Sequence, residues 1–161
     1  MCIRDSYNWS VVKHFNPNLK IIVFFRDPIA RTKSHIHHIH RLHPENKGLT
    51  ASEILQKSRR RLANLQARQL GYRARKKNFK RVLKNLKRLD AIGITEQFNK
   101  SIELINRQFE WNINYTPEQD KNQYPSQGQF QFTEEDEAII RKINKVDTRL
   151  YRRALARFNS L

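Results

Sequence analysis

Five consecutive apolar residues, Ile-Ile-Val-Phe-Phe at positions 21–25, restrict the fold more than any other feature of the chain. A strand over residues 19–25 would be apolar on both faces, which is typical of a parallel strand buried on two sides. Asp27 follows closely and fits the N-cap of a helix whose first residue is Pro28. That helix is predicted to run up to Pro44. The sequence thus predicts a strand, a tight turn and a helix in succession, the unit from which α/β folds are built.

The rest of the chain continues this pattern with helices and one more strand. Phe98, Ile102, Ile105 and Phe109 recur at helical spacing and predict a helix whose apolar stripe belongs to the core. Further elements are predicted as helices over residues 50–71, 77–86 and 147–158, a strand over 91–94, a long loop over 111–132 and a helix capped at Thr133. We therefore expect an α/β fold with a small parallel sheet flanked by helices.

Composition excludes several classes of protein. With 161 residues the chain is expected to form a single domain. One cysteine, Cys2, excludes an internal disulfide and any multi-cysteine metal site. The four glycines lie at least 22 positions apart, so no glycine-rich phosphate loop or dinucleotide fingerprint is present. The longest apolar run has five residues, whereas a membrane span needs roughly 20, and we expect no membrane span in this chain.

Positive charge is concentrated in one segment. The chain has 32 Lys and Arg against 15 Asp and Glu, a formal net charge of +17. Residues 57–88 contain 14 Lys and Arg and no carboxylate. Such a segment is typical of a site that binds an anionic ligand or a nucleic acid, or of a basic surface exposed to solvent.

Arg26 and Ser34 are the best candidates for a phosphate site. Arg26 follows the predicted buried strand, and ligands of open α/β sheets bind at the carboxyl ends of strands. Its guanidinium matches the geometry of a phosphate, and Ser34, about two turns into the next helix, offers a hydroxyl donor from the same side. The alternative is that Arg26 pairs with a carboxylate and that Ser34 is a solvated helix residue.

Four stretches in order resemble one family. The strand followed by R-D-P-x-x-R-x-x-S, ending at Ser34, resembles the 3′-phosphate-binding segment of sulfotransferases that use 3′-phosphoadenosine 5′-phosphosulfate (PAPS). Residues 64–70 (NLQARQL), 92–102 (IGITEQFNKSI) and 147–151 (DTRLY) are similar to later motifs of the heparan sulfate 2-O- and 6-O-sulfotransferase branch and its bacterial relatives. The second stretch has Ala67 where that branch usually has Thr.

The resemblance implies a three-layer sulfotransferase fold related to nucleotide kinases. It implies in-line transfer of a sulfuryl group from PAPS to a hydroxyl or amine acceptor, with a carbohydrate expected. Arg26 and Ser34 would bind the 3′-phosphate of the donor. Asn64, Arg68, Thr95 and Glu96 would lie near the cleft, with roles unassigned. No metal and no nucleic-acid partner is expected; the compartment would be cytoplasmic for a bacterial enzyme and the Golgi membrane for one with an upstream anchor.

The family also has features without a counterpart here. Its first strand, its Lys-bearing phosphate loop and its catalytic base precede the arginine motif, and no base is assigned in this chain. Residues 1–6 fit neither that pattern nor the strand that follows, and we interpret them as a non-native start. We therefore expect an N-terminally truncated sulfotransferase domain over residues 1–161 that is inactive alone.

The sequence leaves three other interpretations open. His35, His37, His38, His40 and His43 include metal-compatible pairs three residues apart, but they scatter around the predicted helix. We therefore favour a polar helix that lines the acceptor side, and His14 is not assigned as a base. A basic nucleic-acid-binding protein is the main alternative, although residues 57–88 contain only Tyr72 and Phe79 for base stacking. A noncatalytic anion-binding remnant is the third.

Overall fold

The computed structural model describes residues 19–114 and 130–161. These ranges contain two strands and seven α-helices. In chain order they are β1 (Ile22–Phe25), α1 (Pro28–Leu42), α2 (Ala51–Leu62), α3 (Leu65–Gln69), α4 (Phe79–Lys87), β2 (Ala91–Ile94), α5 (Phe98–Phe109), α6 (Glu134–Ile143) and α7 (Lys145–Asn159). Single 3₁₀ turns occupy Pro44–Asn46, Ala74–Lys76 and Thr95–Gln97. Cys2, His14, the start at residues 1–6 and most of the loop predicted over 111–132 lie outside the described residues.

The two strands pair in parallel, which confirms the α/β class. Ile22 is opposite Ala91 and Phe25 is opposite Ile94, so the sheet has two strands within the described ranges. The expectation that the whole first strand is buried on both sides is wrong, since only Phe25 is fully buried. The reason is that α1 packs mainly against α2 and α6 and leaves the strand half-covered.

Two apolar clusters stabilise the fold. The first surrounds the strands and joins Phe25 and Ile92 to side chains of α3, α4 and α7. The second joins α1, α2 and α6 through residues such as Ile36, Ile54 and Ile140. Burial of apolar area of this kind is the main favourable contribution to folding.

The termini of the helices follow the local sequence. Asp27 caps α1 by accepting hydrogen bonds from the N–H groups of Ile29 (3.0 Å) and Ala30 (2.9 Å), and Pro28 is the first helical residue, as predicted. Thr133 and Asp136 form a capping box at the start of α6. None of the helices in the described ranges is long and apolar enough to cross a lipid bilayer.

Two sequence predictions need correction. The single helix expected over residues 50–71 is broken into α2 and α3, because Asn64 adopts a left-handed conformation with φ of 46°. The stripe on α5 is not fully core: Ile105 is buried, whereas Phe98 and Phe109 are half-buried. Phe98 stacks on Phe24 of the sheet at 5.2 Å between centroids, so this stripe covers the strand edge instead.

Candidate functional site

The backbone of Arg26 is fixed at the carboxyl end of β1 by one buried side chain. The N–H of Arg26 donates to Oε1 of Gln66 (3.0 Å), and Nε2 of Gln66 donates to the carbonyl of Arg26 (2.9 Å). The amide of Gln66 thus makes the pair of bonds that a neighbouring strand would make. The start of the Arg26 side chain is therefore held in place by tertiary structure.

A cleft of about 540 Å³ lies along α1 beside this strand end. Its lining residues are Arg26, Ala30, Lys33, Ser34, His37, His38 and Arg41. Apart from Arg26 they follow helical spacing on one face of α1. The structure thus brings Arg26 and Ser34 to the same cleft, and the small residue Ala30 also lines it.

The cleft is positively charged. In the described part of the chain, no carboxylate lies within ion-pair distance of the Arg26 guanidinium. Lys33 forms an ion pair with Glu137 of α6, which reduces its contribution. Nη2 of Arg41 lies 3.4 Å from Nδ1 of His38 at the other end of the cleft. An anion entering here would meet the donors of Arg26 and Ser34, and none of the described lining residues is acidic.

The histidines of α1 pack against aromatic rings. His37 stacks on Phe130 (5.2 Å between centroids) and lies edge-on to Phe132, and His40 also contacts Phe130. Burial lowers the pKa of His37, and His40 lowers it further. Across residues 19–114 and 130–161, no group of three His, Cys, Asp or Glu residues is placed to hold a metal ion.

Behind the cleft, Asn64 and Asp147 cap each other's helices. Oδ1 of Asn64 accepts hydrogen bonds from the N–H groups of Val146 (2.9 Å) and Asp147 (3.1 Å) at the start of α7. The carboxylate of Asp147 accepts from Gln66 (3.1 Å) and Ala67 (2.7 Å) at the start of α3. Each side chain satisfies backbone donors that a helix leaves unpaired. This exchange explains why the chain breaks at Asn64 and fixes Gln66 against Arg26.

Arg31 of α1 connects the cleft helix to the same network. Its Nη2 donates to the carbonyl of Leu62 (2.9 Å) and to Oδ1 of Asn144 (3.2 Å), and it lies 3.8 Å from Asp147. Burial lowers the pKa of the Arg31 guanidinium, although the negative charge of Asp147 acts to raise it. Burial raises the pKa of Asp147, although the hydrogen bond from the backbone N–H of Ala67 and the positive charge of Arg31 both act to lower it. The pair therefore bears a desolvation cost that its hydrogen bonds offset only in part, because Nε and Nη1 of Arg31 are buried with no hydrogen-bond partner in the described residues.

Glu96 ties the turn after β1 to the last helix. Its Oε1 accepts from the backbone N–H of Asp27 (2.9 Å), and its Oε2 accepts from the hydroxyl of Tyr151 (3.0 Å). Burial and this contact raise the pKa of Tyr151 to about 12. Ser101 joins β2 to α5 by accepting from the N–H of Ile94 (2.9 Å). The four sequence stretches thus meet at one edge of the sheet.

The remaining candidate positions lie outside the lining of the cleft. Asn64 and Glu96 act in the caps and bridges described above. Arg68 donates from Nη1 to the carbonyls of Arg60 and Arg61 (3.2 Å each) at the end of α2. Thr95 is exposed at the first residue of the turn after β2.

Sequence reasoning missed Gln66, Lys33 and Arg41. Lys33 and Arg41 lie one residue before and seven residues after Ser34 on the same helix, so projecting the helix from Ser34 would have found them. Gln66 had no such signal, because its partner, Arg26, lies 40 residues away.

Comparisons of the chain with protein-family models, with curated proteins and with solved structures return no match. The functional interpretation therefore depends on the residues of the cleft and of the network behind it.

Proposed function

We propose that this chain is a PAPS-dependent sulfotransferase of three-layer α/β fold, and that the cleft along α1 binds the 3′-phosphate of the donor. The acceptor we infer is a carbohydrate hydroxyl or amine. The observation that carries the proposal is that Arg26, which has no carboxylate partner in the described residues, shares a cleft with Ser34. A guanidinium and a hydroxyl on one anion suit a phosphate monoester.

The network behind the cleft supports the proposal in a second way. Anion recognition is effective when the donors are held in place before the ligand arrives. Gln66 fixes the backbone of Arg26, and Asp27 starts the helix that carries Ser34. Both donors are therefore attached to anchored backbone on either side of one turn.

In the proposed reaction the sulfuryl group leaves the 5′-phosphate of PAPS for the acceptor. The bond between sulfur and the acceptor oxygen or nitrogen forms as the bond between sulfur and the bridging phosphate oxygen breaks. Adenosine 3′,5′-bisphosphate leaves with the bond's electron pair, and the acceptor gives up its proton. Arg26 and Ser34 would orient the nucleotide, whereas no described residue is assigned as the base.

A thermal-shift titration with adenosine 3′,5′-bisphosphate in about 0.15 M salt tests the nucleotide site. We expect the melting temperature to rise with ligand concentration, since a ligand of the folded state stabilises it by mass action. Adenosine 5′-monophosphate, which lacks the 3′-phosphate, should shift it less. Arg26→Ala should weaken binding by about tenfold or more, because one charged hydrogen-bonding partner is lost.

Arg59→Ala removes the same charge from an exposed position of α2 and is the matched control. It should leave bisphosphate binding unchanged. Equal weakening by both substitutions would show that general positive charge attracts the nucleotide, and would contradict a site at Arg26. No shift together with submicromolar nucleic-acid binding would favour the nucleic-acid alternative.

A transfer assay with radiolabelled PAPS and glycan acceptors tests the chemical step. The chain has four widely spaced glycines and no glycine-rich loop for the 5′-phosphosulfate. Loss of even one such preorganised donor costs about 10²–10³ in rate, so we expect little or no turnover by this chain. Robust turnover by the 161-residue chain would contradict this expectation and would show that donors for the 5′-phosphosulfate lie elsewhere in the chain.

A further inference from the structure

A second basic groove lies between α4 and α7, with lining residues different from those of the cleft along α1. Its volume is about 630 Å³. It is lined by Lys77, Phe79, Lys80, Leu83, Arg149, Arg152, Arg153 and Ala156. We propose that this α4–α7 groove binds a compact ligand that carries several phosphate groups. The proposal does not depend on the sulfotransferase reaction.

The cations of the groove come from two separate parts of the sequence. Arg149, Arg152 and Arg153 of α7 are spaced at i, i+3 and i+4, so they share one face of that helix. Lys77 and Lys80 belong to the start of α4 and the turn before it, about 70 residues away. The fold therefore brings five positive charges together, of which the basic segment at 57–88 supplies two and α7 supplies three.

These charges have no acidic partners among residues 19–114 and 130–161. The lining contains no Asp or Glu, and none of the five cations takes part in an ion pair within the described ranges. Five like charges around one concavity repel each other and lower the stability of the free protein. A polyanionic ligand would relieve that repulsion.

Phe79, one of the apolar residues that line the groove, orders one arginine. The guanidinium of Arg149 lies 4.4 Å from the centroid of the Phe79 ring, a cation–π contact that fixes the guanidinium at the wall. Phe79 also packs against the apolar cluster around the strands. Because Arg149 lies over the ring and the ring is half-buried against the core, Phe79 offers less surface for stacking a nucleic-acid base.

The size and charge of the groove favour phosphates on a compact ligand. A volume of this order suits a small molecule better than a long chain. A phosphate monoester carries about −1.5 to −2 charges at neutral pH, so three such groups are enough to match five cations. Arginine forks add paired hydrogen bonds to phosphate oxygens.

Isothermal titration calorimetry in about 0.15 M salt with tripolyphosphate, and separately with inositol hexakisphosphate, tests this proposal. We expect one saturable site for each ligand. The ligand with the lower Kd shows whether the groove prefers the linked phosphates of tripolyphosphate or the phosphate esters of inositol hexakisphosphate. Arg152→Gln/Arg153→Gln should raise the Kd at least about tenfold, because two charged hydrogen-bonding partners are removed. Arg26→Ala should leave this binding unchanged, which separates the groove from the nucleotide cleft.

Arg59→Gln/Arg60→Gln removes the same two charges from exposed positions of α2 and is the matched control. It should change the Kd less than threefold. Without ligand, the Arg152→Gln/Arg153→Gln variant should have a melting temperature no lower than that of the wild type, because two like charges have been removed from the groove. Equal losses in the two double variants, absence of saturation, or tighter binding of a single-stranded oligonucleotide that the groove variant loses and the control variant retains would overturn the proposal.

Discussion

Replacing Asp147 with asparagine should destabilise the protein strongly, although the side chain keeps its shape. One carboxylate oxygen becomes an N–H₂ group, so either Gln66 or Ala67 loses the acceptor of its backbone N–H. Arg31 also loses its buried counter-charge at 3.8 Å. Losing a charged hydrogen bond costs about 1.5–3 kcal/mol, and breaking a buried ion pair costs about 3–5 kcal/mol in all. Because burial already raises the pKa of Asp147, we take the lower end, about 3 kcal/mol.

Urea unfolding at neutral pH, followed by circular dichroism, measures this loss. For a slope of about 1–3 kcal/mol per molar urea, a loss of about 3 kcal/mol lowers the midpoint by roughly 1–3 M. Glu103→Gln makes the same chemical change at an exposed carboxylate of α5 and is the control. We expect its midpoint to stay within the error of the wild type.

A double-mutant cycle with Arg31→Met separates the ion pair from the helix cap. With Arg31 absent, Asp147→Asn no longer leaves a buried cation unpaired. The double variant should therefore lose less stability than the sum of the single variants. An Asp147→Asn protein within about 0.5 kcal/mol of the wild type, a range usual for surface substitutions, would refute the reciprocal-cap account.

Two further substitutions test the contacts at the edge of the sheet. Gly93→Ala places a methyl carbon 2.4 Å from the ring of Phe24, so the ring must move, and thermal unfolding should show a loss of about 1–3 kcal/mol. Tyr151→Phe removes a group whose pKa is raised to about 12, so the wild-type protein holds this proton in the folded state after the unfolded chain has lost it near pH 10. The stability advantage of the wild type over Tyr151→Phe should be present below pH 10 and should shrink as the pH rises to about 12; a constant difference across that window would contradict the raised pKa, which burial and the contact with Glu96 both cause.

The parts of the fold that the sequence predicts are those determined by near neighbours. The apolar run at 21–25, followed by Asp27 and Pro28, places a strand, a cap and a helix within eight residues, and all three are present. The cap at Thr133 is predicted in the same way, because its partner Asp136 is three residues away. Periodicity and capping act locally, so a single sequence contains the information.

The parts that the sequence does not predict depend on residues far apart in the chain. Helical periodicity runs through residues 50–71 without interruption, whereas the break at Asn64 follows from hydrogen bonds to Val146 and Asp147, more than 80 residues later. These bonds join the side chain of Asn64 to two backbone N–H groups, and their pairing has no local signal in the sequence. The cleft is predicted only in part for the same reason. Arg26 and Ser34 lie eight positions apart in the sequence, whereas Gln66, which fixes the backbone of Arg26, lies 40 positions away.

The nucleotide site at Arg26 and Ser34 is the central claim, and a crystal structure of the protein with adenosine 3′,5′-bisphosphate tests it most directly. We expect the 3′-phosphate in the cleft along α1, with its oxygens about 2.7–3.2 Å from the Arg26 guanidinium and at hydrogen-bond distance from the hydroxyl of Ser34. The α4–α7 groove should hold no nucleotide at a concentration that fills the cleft. Nucleotide density in the groove alone, or in the cleft with the 3′-phosphate directed away from Arg26, would contradict the account.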